Sequence, residues 1–299
     1  MAVGSIQAGT LLGPALSAPL VAWLIAETSW RVSFFVTGAI GLVWVAVWLV
    51  FVSTPEKTSW LPEAERRRIL DERHAGDAPA TNDGIGYRGL LRSPSMWGLA
   101  ISQGTGVYSV YLYLSWLPDY LQTARGLSIM KSGAYTSVPF FVGAAVIILT
   151  NWFGDRILTP HTMRNGGRRI VVVACLLFCA LGMVIPFIDS LTLVIILTIF
   201  PISFGGTATA TNAALCNDLL RSQADSGRAF AFMVLGGNVF GLMAPIITGY
   251  IVQATGSFAS AFILAGVLSL IGAAVSFTMT RHTLGEETPT AVGLARVAG

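Results

Sequence analysis

The stretch TPEKTSWLPEAERRRILDERHAGDAPATNDGIGYRGLLRSPS, residues 54–95, organises the rest of the sequence around it. It holds 14 of the 33 charged residues of the chain, 7 of them basic and 7 acidic. Two long apolar segments lie before it, and six more lie after it, joined by short polar loops. This arrangement predicts a polar connector between two unequal groups of membrane-spanning helices.

The composition is that of a membrane protein. Hydrophobic residues make up 54% of the 299 residues and charged residues 11%, and the mean hydropathy is +0.70. Soluble domains carry about 25% charged residues. The low charge therefore favours a chain whose partner is the lipid bilayer.

Eight apolar segments are long enough to cross a bilayer, whose core takes about 20 residues of helix. They are residues 4–26, 32–53, 96–121, 132–153, 170–188, 191–214, 229–253 and 258–280. Each is nearly free of charge, and backbone groups in lipid must be hydrogen-bonded within their own segment. We therefore predict an all-α polytopic membrane protein with eight transmembrane helices.

Basic residues are divided unequally between alternate loops. Of the 18 Lys and Arg residues, 15 fall in one set of loops and 3 in the other. The first set comprises residues 54–95, 154–169, 215–228 and the tail from Arg281, and the second contains Arg31, Arg125 and Lys131. Since cytoplasmic loops are rich in Lys and Arg, the long loop and both termini are predicted to face the cytoplasm, in a cell (inner) membrane.

Ionisable side chains are almost absent from the apolar segments, so catalysis within the membrane is not expected. Metal-dependent or nucleophilic chemistry needs His, Asp or Glu at depth, and the three histidines all lie in predicted cytoplasmic loops. The sequence predicts that the protein is not an enzyme and that it holds neither a metal ion nor a cofactor. A polytopic membrane enzyme remains the weaker alternative.

Neutral polar side chains cluster instead at similar depths of three segments. Gln103 lies about seven residues from the cytoplasmic start of its segment, hence ~10 Å deep at 1.5 Å per residue, and Asn238 lies at nearly the same level. Tyr108 and Tyr111 follow Gln103, and Asn212 lies in the sixth segment. They either line a substrate cavity or make ordinary interhelical hydrogen bonds worth about 1 kcal/mol each.

Several motifs resemble one transporter family. GPALSAPLVAWLIAETSWRVSFFVTGAIGLVWVAVWLVFV, residues 13–52, resembles the fifth and sixth helices of the major facilitator superfamily, and more narrowly its anion:cation symporter family of tartrate, phthalate and sugar-acid permeases. SWLPDYLQTARGLSIMKSG, residues 115–133, is similar to that family's seventh helix and the start of its eighth. GGNVFGLMAPIITGYIVQATGSF, residues 236–258, is similar to its eleventh helix. The resemblance covers residues 3–282.

The resemblance implies helices 5–12 of a twelve-helix fold made of two halves. Residues 1–53 would be a remnant of the N-terminal half, 54–95 the cytoplasmic central loop, 96–281 the C-terminal six-helix half and 282–299 a cytoplasmic tail. The first segment starts almost at Met1 without a basic residue ahead of it. We therefore expect a truncated chain or a late start codon.

The resemblance also implies a function and a set of site residues. The implied activity is secondary active transport of a small organic anion, a sugar acid or a dicarboxylate, coupled to protons in the full-length form. The predicted substrate-binding residues are Gln103, Tyr108, Tyr111, Asn212 and Asn238. The predicted cytoplasmic gate motif consists of Asp155, Arg156, Arg168 and Arg169, whose other interpretation is plain cytoplasmic-side charge.

One departure from the family limits this prediction. The family's first four helices, which bring the arginine and the carboxylates that bind the anion and carry the proton, have no counterpart in this sequence. We therefore expect that the chain alone does not complete a transport cycle. The alternative is a non-transporting membrane fragment or interaction partner. The basic run Arg66–Arg68 beside acidic residues predicts a solvated amphipathic helix on the membrane surface rather than a nucleic-acid contact.

Overall fold

The computed structural model describes residues 2–51, 53, 62–76, 85–157, 166–220 and 222–284. Within these ranges the regular structure is entirely helical. The elements are α1 (Ala2–Glu27), α2 (Trp30–Phe51), α3 (Glu63–Gly76), α4 (Gly86–Arg92), α5 (Pro94–Thr123), α6 (Ile129–Ile157), α7 (Gly167–Cys179), α8 (Leu191–Leu219), α9 (Ser226–Thr255) and α10 (Ala259–Met279). A 3₁₀ segment, Ala180–Phe187, continues α7.

The predicted all-α polytopic architecture is confirmed. Within the ranges given above, seven helices are long and apolar enough to cross a membrane. The remaining predicted span corresponds to α5, whose 30 residues reach about 45 Å at 1.5 Å per residue. It is less apolar than the other seven because it carries glutamine, serine, threonine and tyrosine side chains. The most polar long helix is thus also one that packs against several others.

Helix α5 lies close to α9, and small residues allow the approach. A Cβ on Gly236 would lie 2.9 Å from both the Cβ and the carbonyl oxygen of Ala100. A Cβ on Gly241 would lie 3.0 Å from the ring of Tyr111. Such glycines let helix backbones pack closely in a membrane. The two helices run in the same direction, so residues at equal distance from their starts meet.

Helix α1 joins the bundle through α6. Gly133 of α6 faces the α1 backbone, since a Cβ there would lie 2.9 Å from the carbonyl oxygen of Ala18. Farther along, a Cβ on Gly143 of α6 would lie 3.1 Å from Cδ1 of Leu11 in α1. Helix α2 packs beside α1 and buries Ser33 alone among its residues. The apolar surface of α2 therefore suits contact with lipid.

The end of the polar connector is tied to the helical bundle. The Asp225 carboxylate, just before α9, accepts the backbone N–H of Ile85 at 2.7 Å and pairs with Arg228 at 3.1 Å. The Ser95 hydroxyl, at the start of α5, donates to the carbonyl of Met279 at 3.0 Å. The Asp225 bonds join α4 to the start of α9, and the Ser95 bond joins the start of α5 to the end of α10. The division into domains made from the sequence stays a prediction.

Candidate functional site

A cavity of about 300 Å³ lies between α1, α5, α6, α8 and α9. We call it the inner cavity. Every described residue that lines it is uncharged. Its polar side chains are Thr10, Gln103, Tyr111, Thr209 and Asn238. Its walls are otherwise apolar, which is typical of small-molecule sites with a few placed polar groups.

Three of the predicted substrate-binding residues meet in the inner cavity. Gln103 and Tyr111 come from α5, and Asn238 comes from α9. Their meeting follows from the close approach of the two helices, since a Cβ on Gly237 would lie 3.1 Å from Cγ of Gln103. Gly237 precedes Asn238 in the chain, so the two amide side chains lie within reach of one small molecule.

Asn212 lies behind this surface rather than in it. It is 1% exposed and is not among the residues lining the inner cavity. Its Nδ2 donates to the carbonyl of Leu99 at 2.9 Å and to Oε1 of Gln103 at 3.2 Å. Its Oδ1 accepts a hydrogen bond from the Ser102 hydroxyl at 3.3 Å. Asn212 therefore contacts a cavity residue instead of the cavity.

Tyr108 also lies away from the lining. It is buried and belongs to the hydrophobic core beside Leu112, Leu117 and Phe140. On a helix with 3.6 residues per turn, Tyr108 lies about 140° around the axis from Gln103, whereas Tyr111 lies only about 80° from it. The structure thus brings Gln103 and Tyr111 to one face of α5 and leaves Tyr108 on another.

A second cavity, also about 300 Å³, adjoins the inner one. We call it the outer cavity, since it extends toward the end of α1 and the start of α6. The two cavities share Pro14, Leu114 and Phe140 in their linings. Phe140 is fully buried. These apolar side chains, which no sequence signal marked, separate two compartments that carry polar groups.

Two residues of the predicted gate motif lie at the start of α7. Arg168 pairs with Asp218 of α8, with 2.5 Å between Nη1 and Oδ1, and donates to the carbonyl of Ala214 at 3.3 Å. The Arg169 guanidinium lies 5.6 Å from the ring centroid of Phe277 of α10. The pair of arginines thus connects the start of α7 to the ends of two other helices.

Asp155 and Arg156, the other half of the motif, belong to the last turn of α6. Their side chains lie outside the described residues. Asp218 was missed by sequence reasoning because a single acid in a short polar loop carries no periodic signal. Asp218 is recognised as part of the motif only by its position at the end of α8, where it faces Arg168 at the start of α7.

Comparison with known proteins relates the chain to proteins that are named as transporters. The profile of the Major Facilitator Superfamily matches residues 1–166 and 162–297. A probable L-galactonate transporter of Escherichia coli K12 is 28% identical over 294 residues, which are 95% of this chain and 62% of that protein. A hexuronate transporter of Bacillus subtilis 168 is 29% identical over 293 residues, 95% of this chain and 66% of that protein.

A third relative extends the range of solutes in the names. A probable sulfoacetate transporter of Cupriavidus necator is 30% identical over 272 residues, 89% of this chain and 61% of that protein. This chain thus spans less than two thirds of the length of each of these three relatives. The matches confirm the resemblance to the major facilitator superfamily that was drawn from the sequence.

Proposed function

Since this chain belongs to the Major Facilitator Superfamily, we propose that it serves in secondary active transport of a small organic anion of the sugar-acid class. The observation that carries the proposal is the meeting of Gln103, Tyr111 and Asn238 in one uncharged cavity. The solute class comes from relatives named as galactonate, hexuronate and galactarate/D-glucarate transporters. We propose the cell (inner) membrane as its location, with both termini and the connector in the cytoplasm.

The chemistry of the inner cavity supports a hydroxylated solute. Two carboxamides and a phenol offer both donors and acceptors. A sugar acid carries one carboxylate, or two in galactarate and D-glucarate, which only accept hydrogen bonds, and several hydroxyls, which donate and accept. A polar group that leaves water without gaining a new hydrogen bond costs about 2–7 kcal/mol of free energy, depending on the reference state. The two carboxamides therefore favour solutes that form hydrogen bonds with them.

The adjoining cavities support a path for this solute. The apolar group Pro14, Leu114 and Phe140 lies between the inner cavity and the outer cavity. Ser17, Gln122 and Thr136 supply polar groups to the outer cavity. We propose that the solute passes between the two compartments when this apolar group separates.

Proton coupling is a further part of the proposal, and the membrane potential supports it. An anion that enters a cell moves against an inside-negative potential, at about 2.3 kcal/mol per charge per 100 mV. One proton moving with each monovalent anion cancels the charge and removes this opposition. Among the described lining residues of the inner cavity there is no Asp, Glu or His. We therefore propose that the proton travels by groups outside that lining.

Reconstitution tests the proposal. The purified chain is placed in proteoliposomes, and uptake of labelled galactonate is measured with an acidic exterior, with equal pH, and with empty liposomes. Uptake above the empty liposomes that rises with the pH gradient supports transport and proton coupling together. Uptake that does not change with the pH gradient overturns proton coupling but leaves the transport function supported. Binding of galactonate without any uptake supports the non-transporting alternative, and absence of both overturns the proposed function.

A further inference from the structure

We infer that Asn212 orients the carboxamide of Gln103, so that α5 presents a hydrogen-bond donor and α9 an acceptor, and that this pair selects solutes bearing both a carboxylate and a hydroxyl. The inference rests on the proposed function and assigns the selectivity for sugar acids to the orientation of two carboxamides. Asn212 acts here as a positioning residue, since it touches Gln103 and not the cavity.

The orientation of Asn212 is determined by the backbone. A carbonyl oxygen can only accept a hydrogen bond. Because the carbonyl of Leu99 lies 2.9 Å from the carboxamide end of Asn212, that end must turn its nitrogen toward it. The Ser102 hydroxyl then donates to Oδ1 of Asn212 at 3.3 Å. The oxygen and nitrogen of this buried amide are therefore assigned by the Leu99 carbonyl, which cannot donate.

The orientation passes from Asn212 to Gln103. Nδ2 of Asn212 also lies 3.2 Å from the Gln103 side chain, and a nitrogen that only donates needs an oxygen opposite. Oε1 of Gln103 is consequently held toward α8. Its Nε2 has no hydrogen-bond partner among the residues that the structure describes. Gln103 therefore offers two N–H donors to the inner cavity.

Asn238 has the complementary arrangement. Its Nδ2 donates to the carbonyl of Val234, one turn earlier in α9, at 3.0 Å. A second backbone carbonyl thus determines the orientation of a second amide. Oδ1 of Asn238 is left to accept a hydrogen bond at the cavity, and within the described part of the chain no donor occupies it.

A donor and an acceptor side by side discriminate between solutes. A carboxylate is matched to the N–H groups of Gln103, and a charge-assisted bond of this kind is about twice as strong as a neutral one. The same carboxylate would be repelled by Oδ1 of Asn238, which instead matches a hydroxyl. A dicarboxylate without hydroxyls leaves Asn238 unpaired, and a neutral polyol forgoes the charge-assisted bond. Specificity arises from these mismatches.

Binding to the purified chain in detergent micelles tests the selectivity. The probes are galactonate, galactitol, which has hydroxyls but no carboxylate, and succinate, which has carboxylates but no hydroxyl. We expect galactonate to bind at least about tenfold tighter than either, as one well-placed hydrogen bond allows. Equal binding of succinate or galactitol overturns the inference, whereas uptake of galactonate by proteoliposomes would still support the proposed function. Absence of binding by all three overturns both.

Variants test the role of Asn212. In Asn212→Leu, which nearly keeps the volume, Gln103 is free to rotate, and we expect the preference for galactonate over galactitol to fall about tenfold. Asn212→Ala is measured in parallel in case the larger side chain prevents folding. The control is Thr198→Val, a change on the same helix at a fully buried residue whose hydroxyl donates to Ile195. An unchanged preference in a folded Asn212 variant contradicts the inference.

Discussion

Arg168 opens α7 and pairs with Asp218 at the end of α8, with 2.5 Å between Nη1 and Oδ1. The contact joins two helices that are connected at their opposite ends, after Phe187. It is partly exposed, with the two side chains 20% and 35% accessible. Such a pair contributes only about 0–1 kcal/mol to the free energy of unfolding. Its role is therefore to keep two helix ends next to each other.

Charge reversal at this pair is the first prediction. Arg168→Asp places two acids together, and where reconstitution gives galactonate uptake we expect that uptake to fall several-fold while the chain still folds. Exchange of both charges, Arg168→Asp with Asp218→Arg, restores the pair and is expected to recover at least about half of the uptake. A double variant no better than Arg168→Asp alone would show that the contact has no role in the transport cycle.

The second prediction concerns the amides of the inner cavity. Gln103→Ala and Asn238→Ala each remove hydrogen-bonding groups that the solute would use, and we expect uptake or binding of galactonate to fall about tenfold in each. Val239→Ala is the matched control, because Val239 is an exposed neighbour outside the lining. Amounts of protein in the membrane are compared by immunoblot. Equal uptake by all three variants would show that the polar side chains contribute only to helix packing.

The third prediction concerns the contact between α5 and α9. A Cβ on Gly241 would lie 2.9 Å from Cγ1 of Val107, so Gly241→Ala must push the helices apart. We expect it to lower the free energy of unfolding by about 1–3 kcal/mol, as overpacking does. Gly227→Ala on the same helix meets nothing within 4 Å and is expected to be neutral or stabilising.

Thermal unfolding in detergent distinguishes the two glycine variants. The same chemical change is made on one helix at a close contact and in open space, so helix propensity cancels between them. A midpoint for Gly241→Ala at or above that of Gly227→Ala would mean that α5 and α9 are not closely packed in solution.

The fourth prediction concerns Asp225, a buried acid that joins the connector to α9. Its carboxylate accepts the N–H groups of Ile85 and Gly86 at 2.7 and 3.4 Å and pairs with Arg228. Asp225→Ala leaves these groups unpaired, and we expect trypsin to cleave at Arg88, within α4, several-fold faster. Asp71→Ala, at an exposed residue of α3, is the control. Equal cleavage rates would show that Asp225 does not hold α4.

Much of the fold follows from the sequence because the bilayer restricts it. Apolar runs of about 20 residues must be helices there. Seven of the eight predicted segments correspond to long α-helices, and the segment 170–188 corresponds to α7 and the 3₁₀ segment that continues it. Depth along a helix also follows from counting residues at 1.5 Å each. That is why Gln103 and Asn238 could be assigned to one level before the structure showed that both line the inner cavity.

The facing of each helix was decided only by tertiary structure. Helices that are apolar all round have no polar stripe to mark the side that packs, so Tyr108 and Asn212 could not be separated from Gln103 by pattern. Packing buries Tyr108 in the core and sets Asn212 behind Gln103. The partnership of Arg168 with Asp218 depends in the same way on which helix ends meet. The sequence determined which residues lie in the membrane and how deep, since transfer from water depends on composition alone. The tertiary structure decided which of them meet, since contact depends on how helices turn and pack.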